Sequence, residues 1–587
     1  MSTRLATGGR LLNKSKAVEF TFNGKRLNGF EGDTLASALL ANDQMMIGRS
    51  FKYHRPRGVV ASGAEEPNGL VNMGEGGKFE PNQRVTTTEL FDGLTCTSQN
   101  HWPSLEYDVG VLNNYAARFL PAGFYYKTFM APAAAWKHVF EPIVRHSAGL
   151  GKAPKDRDVD TYEHFYAFVD VVVVGGGVAG LQAAKAAGAS GAKVLLIEQT
   201  AHWGGRAPVD GGEIDGMPIE DYIASTINYL KAMDNVTMRN RMMGSGVYDH
   251  GYVMGYERVT DHAPRAAGPR HRLWRIRAKQ VVTATGAIER PLSFAGNDIP
   301  GVMLAAALRD YVVDYGVSVG DRTVVVTNND DAYRTAIALK NAGLEVPVVL
   351  DARASGGGAL ADQAKALGIR VENGKGIAKV KGGKRVTSVA ICAQAGEGSV
   401  LEEIKCDAVA MSGGWSPVVH LWSHCGGKLI WDDAQAHFRP DASRAPTGAD
   451  GQGFVIPAGS ANGPFGLNAV LADANAAGLA AANAAGFTAE LEAPVATDLP
   501  EAAMEPVHLP VSRMRQFLLW GRPRSAHLTR RSALARLQVK RVTQCSNRCG
   551  APRSMTITKT KRRSLNPSVS GVVRIASHAT AKPMPRP

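Results

Sequence analysis

At 587 residues the chain is too long for a single hydrophobic core, so three or four domains are expected. No run of about 18 apolar residues occurs, and the basic start lacks an apolar segment, which argues against a membrane span and a secretory signal. The net charge of +14 is confined to the last 82 residues, which hold 18 Lys or Arg and no Asp or Glu; the remainder carries 49 basic against 53 acidic residues, so the overall charge is no argument for nucleic acid.

In chain order, Val18, Phe20 and Phe22 alternate with polar residues, Asn23–Gly24 supplies a tight turn, and a return strand follows, which reads as a β-hairpin. Glu31–Gly32–Asp33–Thr34 then leads into an apolar stretch from Leu35 to Leu40, which reads as a capped helix. Hairpin, loop and helix open a β-grasp, ferredoxin-like domain, expected over residues 1–115. Cys96 is its only cysteine, and a plant-type cluster needs four thiolates, so no iron–sulfur cluster and no other metal site is expected. The basic, aromatic stretch Arg49–Ser50–Phe51–Lys52–Tyr53–His54–Arg55–Pro56–Arg57–Gly58 suits either a phosphate or partner contact or a loop bracing the next domain. Residues 116–165 lack period and read as a connector. The six cysteines (Cys96, Cys392, Cys406, Cys425, Cys545 and Cys549) are scattered, which fits reduced thiols in a cytoplasm.

Four valines, Val171 to Val174, form a strand buried on both faces, and Gly175, Gly177 and Gly180 follow in G-x-G-x-x-G spacing before an Ala-rich helix. Such a loop lays backbone N–H groups and a helix N-terminus, here Val178, Ala179 and Gly180, against a pyrophosphate. A second apolar strand ends in Glu198, about 20 residues beyond the glycines, where these folds place the acid that accepts from the adenosine ribose. Gln199 and Thr200 follow, then Gly204–Gly205–Arg206, whose guanidinium is either a partner for pyrophosphate or a solvated loop arginine. Gly246 and Val247 are expected beside adenine. A strand running into Ala284–Thr285–Gly286 marks the return point of a two-dinucleotide-domain α/β fold. The first such domain is expected over residues 166–315, continued by 400–490, where Ala458, Gly459 and Leu467 open a strand, loop and helix that close over the nucleotide.

A second Rossmann-like unit, residues 316–399, has strand, helix and strand ending at Asp351. Its turn, Thr327–Asn328–Asn329–Asp330–Asp331, holds no glycine and two carboxylates, so it keeps the fold and loses the ligand. Residues 491–587 read as a Pro- and Ala-rich linker followed by the basic tail. That tail is either a nucleic-acid-binding segment or a disordered product of translation in a shifted frame.

Several blocks are more specific than the glycine loop. Thr7–Gly8–Gly9–Arg10–Leu11, Phe20–Thr21–Phe22–Asn23–Gly24, the Arg49 to Gly58 stretch, Glu65–Glu66–Pro67–Asn68, Thr97–Ser98–Gln99–Asn100–His101–Trp102–Pro103–Ser104, Ala122 to Met130 and Asn328–Asn329–Asp330 occur in order. With them the first 490 or so residues resemble the alpha subunit of heterotetrameric sarcosine oxidase, with the folate-binding end of that family replaced by the basic tail. The resemblance implies a flavoprotein complex that oxidises sarcosine to glycine, formaldehyde and hydrogen peroxide. It implies NAD in this chain's pocket, FMN at the interface with a beta subunit, FAD on that subunit, gamma and delta partners, and no catalytic residue here. Two alternatives are an FAD-binding large subunit of a dye-linked amine, opine or proline dehydrogenase, and a nucleic-acid-binding protein acting through the tail.

Overall fold

Strand β1 (Asn13–Phe22) buries Val18, Phe20 and Phe22 on one face and turns at Asn23 and Gly24, with φ of 51° and 77°, into β2 (Lys25–Glu31). Two successive positive φ values define the turn that matches strand twist, which is why Asn-Gly stands there. Helix α1 (Leu35–Ala41), buried along its whole length, begins at a reciprocal cap: Thr34 Oγ1 accepts from Ser37 N at 3.2 Å and Ser37 Oγ accepts from Thr34 N at 3.0 Å. Strands β3 (Leu70–Met73), β4 (Glu80–Arg84) and β5 (Leu94–Ser98) complete a five-stranded sheet of order β2-β1-β5-β3-β4.

The computed structural model describes residues 2–117, 120, 123, 131–147, 151–395, 398–499, 501 and 503–506. The basic tail from 507, with Cys545 and Cys549, lies outside them, as do most of the Ala122 to Met130 block and the middle of the 116–165 connector.

The loop after α1 is held from within by Glu66, whose buried carboxylate accepts from the backbone N–H of Val60, Ala61, Asn68 and Gly69 at 2.6–3.0 Å. Arg55 and Arg57 both reach Asp298, at 3.0 and 2.7 Å. Of the two readings of that basic stretch, the arginines here act as braces to the neighbouring domain.

The central sheet is built on β6 (Tyr162–Val174). Its last four valines are buried on both faces, between helix α2 (Val178–Ala189) and the strands that follow. Strand β7 (Val194–Ile197) pairs parallel to it, helix α3 (Ile219–Lys231) crosses over, and β8 (Val236–Arg239) continues the sheet. An antiparallel meander, β9 (Met242–Tyr248), β10 (Tyr252–Arg258) and β11 (His271–Thr283), returns so that β11 lies parallel to β6, giving the order β8-β7-β6-β11-β10-β9.

A second parallel sheet has the order β12-β19-β13-β14-β15. It contains β12 (Val302–Leu304), β13 (Thr323–Thr327), β14 (Val349–Asp351), β15 (Val371–Asn373) and β19 (Ala408–Ser412), packed by α4 (Ala305–Val313) and α5 (Asp331–Asn341). Between β15 and β19 the chain inserts an antiparallel sheet of β16 (Lys375–Gly382), β17 (Val386–Ala393) and β18 (Glu402–Lys405). Strand β20 (Val455–Pro457) then pairs with β11, and α6 (Leu467–Ala484) lies along α2. Gly478 permits that contact, since a Cβ there would stand 2.4 Å from Ala183 O.

Residues after Leu491, expected as a linker, instead lace onto the body. Ala496 bridges to Ile214, and Asp498 accepts from the N–H of Leu467 and Asn468 at 3.0 and 2.9 Å, capping α6. Ala503 O accepts from Arg353 at 3.1 Å, and Asn328 Nδ2 donates to Glu505 O at 2.8 Å. These are backbone and cap contacts, which leave no hydrophobic period in the sequence.

Candidate functional site

The glycine loop between β6 and α2 is sterically fixed. Gly175 has φ +110° and a Cβ there would lie 2.3 Å from Ala284 O, while one on Gly180 would lie 1.7 Å from Gly175 O. Gly177 is the N-cap of α2, so the N–H groups of Val178, Ala179 and Gly180 have no partner within the helix. Glu198, at the end of β7, bends back to this loop: its carboxylate accepts from Gly176 N at 2.6 Å and from Thr200 N at 2.7 Å. Burial raises its pKa, and the hydrogen bonds from Thr200 and Gly176 oppose that shift without cancelling it.

Around this centre the chain folds three further segments. Gly204 bridges Gly177 and donates to Gly176 O at 2.8 Å, and Gly205 lies so close that its Cβ would stand 3.0 Å from Gly177 Cα. Ala458 N donates to Thr283 O at 3.0 Å; Gly459 N donates to Asp473 at 2.7 Å and lies against Ala179. Gly286, at φ +70°, follows β11 and accepts from Val418 N at 2.9 Å. Gly175, Gly177, Val178, Ala179, Gly180, Glu198, Thr200, Gly205, Ala458 and Gly459 thus meet at one helix terminus. Gln199 is exposed beside them. Leu467 opens α6 under the Asp498 cap.

Three expected residues stand in other settings. Arg206 does not point at the glycine loop: it pairs with Asp310 at 3.1 Å and Asp210 at 3.2 Å and lies over the Trp415 ring at 5.3 Å. Burial would lower its pKa, but Asp210, Asp310 and Asp331 outweigh that and raise it, so the guanidinium is a fixed charge clamping the two sheets. Val247 is fully buried in the core beneath the meander, and Gly246 is buried beside it. The strand instead reaches the site through its start, where Met242 N donates to Glu198 O at 2.7 Å. Trp203 was given no role in the sequence, yet its ring packs on the loop, 2.5 Å from where a Gly176 Cβ would stand. An aromatic residue beside a Gly-Gly pair was the available signal.

In the second sheet, the turn without glycine is filled by the chain. Asp330 pairs with Arg353, which also pairs with Asp351 at 2.7 Å, all three nearly inaccessible, and Glu505 lies against Asn328. Nearby, Glu289 caps α4 by accepting from Ala306 N at 2.8 Å, and burial raises its carboxyl to about 8.

Comparison with known proteins gives the class. Residues 169–434 match the pyridine nucleotide-disulphide oxidoreductase family, and residues 15–101 match the 2Fe-2S iron-sulfur cluster binding domain. The chain therefore joins a ferredoxin-like domain to the Rossmann-like fold of flavoprotein oxidoreductases. The L-proline dehydrogenase of P. horikoshii superposes with a TM-score of 0.52 at 20% identity, covering 83% of this chain and 75% of that one, a likeness of fold. Sarcosine oxidase subunit alpha of Rhizobium meliloti (strain 1021) is 45% identical over 439 residues, which are 74% of this chain and 44% of the relative. The same subunit of Corynebacterium sp. (strain P-1) is 37% identical over 506 residues, 85% of this chain and 47% of the relative. The chain is similar to sarcosine oxidase subunit alpha over most of its length, and it spans about half the length of those relatives.

One cofactor expectation is corrected. The sequence reading excluded an iron–sulfur cluster from the N-terminal domain, and the match of residues 15–101 to a cluster-binding family overturns that exclusion. The thiol within that stretch is Cys96 alone, on β5, whose Sγ donates to Thr21 O at 3.1 Å and whose pKa burial pushes up to about 12. That donor set does not fit the four thiolates of a plant-type cluster. Among the described residues no helix is long and apolar enough to cross a membrane.

Proposed function

We propose that this chain is the dinucleotide-holding alpha subunit of a sarcosine-oxidising flavoenzyme, carrying NAD and one wall of an FMN site shared with a flavin-bearing beta subunit, alongside gamma and delta subunits. One observation carries the reading: a buried carboxylate, Glu198, standing against the glycine loop at the N-terminus of α2. The unpaired N–H groups of Val178, Ala179 and Gly180 and the positive end of the helix suit a pyrophosphate. Glu198 has lone pairs left for the two hydroxyls of a ribose, and Gly205 and Gly459 keep side chains out of the cradle. The amine oxidation would be flavin chemistry, at the shared FMN and the beta subunit's FAD; the residues named here bind and orient the dinucleotide. We assign no catalytic residue to this chain.

Co-expression with a sarcosine oxidase beta subunit, followed by assay of sarcosine-dependent peroxide release, tests the proposal. Assembly and release support it, and a stable complex that releases no peroxide with sarcosine refutes it. Glu198 would meet only the adenosine end, which NAD and FAD share, so absorbance separates them. A flavin band in the chain purified alone refutes NAD in favour of FAD.

A further inference from the structure

In a sheet with one covered face, the outer residues of each strand are ordinarily polar. The meander departs from that rule. Its inner residues, among them Val253, Trp274 and Ile276, are buried in the core. Its outer face presents Met243 on β9, and the outer face of β6, beside β11, presents Tyr166 (62% exposed) and Phe168 (70% exposed). Arg275 lies over Tyr166 at 5.3 Å and hydrogen-bonds its hydroxyl, and Arg277 lies over Tyr252 at 4.8 Å. Among the described residues neither guanidinium is paired with a carboxylate. The edge is open as well: β6 pairs with β11 along its length, but with β7 only through Val171 to Val174. Along residues 162–169 its other edge has no ladder partner among the described residues.

We infer that this face, with the free edge of β6, is the docking surface for a different polypeptide that presents an acidic, apolar-centred segment, added along residues 162–169. Rigid aromatics, methionine and arginine are the side chains that dominate interface energies, and unpaired strand groups accept a further strand. Charge selects the occupant. A second copy of this chain, packed through the same patch, would bring four guanidiniums together, whereas an acidic partner pairs them. The inference rests on the reading of this chain as one subunit of a complex.

The test uses the full chain co-expressed with the beta subunit of a sarcosine oxidase, and amide hydrogen exchange of the free and assembled forms. Exchange in residues 162–169 is expected to slow at least tenfold on assembly. Arg275→Glu with Arg277→Glu is expected to weaken assembly at least tenfold while leaving dinucleotide affinity unchanged. Phe168→Ala, at an exposed position, serves if the charge reversal does not fold. Assembly without protection of residues 162–169 overturns the docking assignment and leaves the proposed function standing. Failure of the chain to assemble with any of the beta, gamma and delta subunits overturns both. Salt-sensitive retention of single-stranded DNA, lost in the charge-reversed chain, overturns the assignment in favour of nucleic acid.

Discussion

Replacing Glu198 by Gln separates a ligand-binding acid from a loop brace. The carboxylate accepts two backbone hydrogen bonds, at 2.6 and 2.7 Å, from Gly176 and Thr200. Gln keeps one acceptor and turns an N–H donor toward the other amide, so one of these bonds is lost. Hydrogen bonds to a charged acceptor contribute about 1.5–3 kcal/mol each, and the loss of stability falls in that range. If the remaining lone pairs receive ribose hydroxyls, binding loses a similar amount, and the Kd for NAD rises about 10- to 150-fold. Calorimetry with NAD, beside thermal unfolding of the same samples, reads both quantities. Because burial raises the pKa of Glu198, affinity in the unsubstituted protein also weakens toward acid at a higher pH than an ordinary carboxylate would give. A lowered Tm with an unchanged Kd refutes the ligand role and leaves Glu198 as a brace.

Other expectations concern the frame around that site. Glu289 is held near pKa 8 by burial against an ordinary 4.5, so the folded chain keeps a proton that the unfolded chain releases. Stability therefore falls as pH rises from about 4.5 to 8 and then levels, losing on the order of 4 kcal/mol between pH 5 and 8. Glu289→Gln removes that slope, and parallel Tm profiles for the two proteins contradict it. Asp310→Asn takes from Arg206 one of its two carboxylates and weakens the bond from Ser62, a loss of about 1–3 kcal/mol in denaturant unfolding with NAD affinity unchanged. Unchanged stability contradicts the clamp. Gly478→Leu drives a side chain into Ala183 O and is expected to cost more than about 3 kcal/mol and to abolish dinucleotide binding by displacing α2. A wild-type Tm excludes that packing.

The most legible parts of the sequence are those whose geometry is local. Gly175 and Gly180 stand where any Cβ would collide, and Asn23–Gly24 makes a turn that few other pairs can make, so each carries its own signature. The paired helices α2 and α6 are legible as small-residue stretches beside glycine loops. Arg206 was not: its partner Asp310 is 104 residues away, and charge partners across a domain junction leave no spacing to read. Residues 162–165, the start of β6, read as connector because a strand that offers aromatics to solvent has no apolar–polar alternation. Val247 was misplaced by one structural step: Met242, at the start of the same strand, is the residue that meets Glu198. The ferredoxin-like scaffold of the N-terminal domain is legible in its hairpin and helix; the cluster was excluded on the single thiol, Cys96, and that exclusion is what the family match overturns.

An adenine dinucleotide is expected to lie on the N-terminus of α2. Acid release and quantification of nucleotides from the purified full chain, after incubation with NAD and FAD, measures this most directly. One adenine dinucleotide per chain is expected, with retention weakened about 10- to 150-fold by Glu198→Gln. A folded chain that retains neither, and takes up neither in calorimetry, contradicts it.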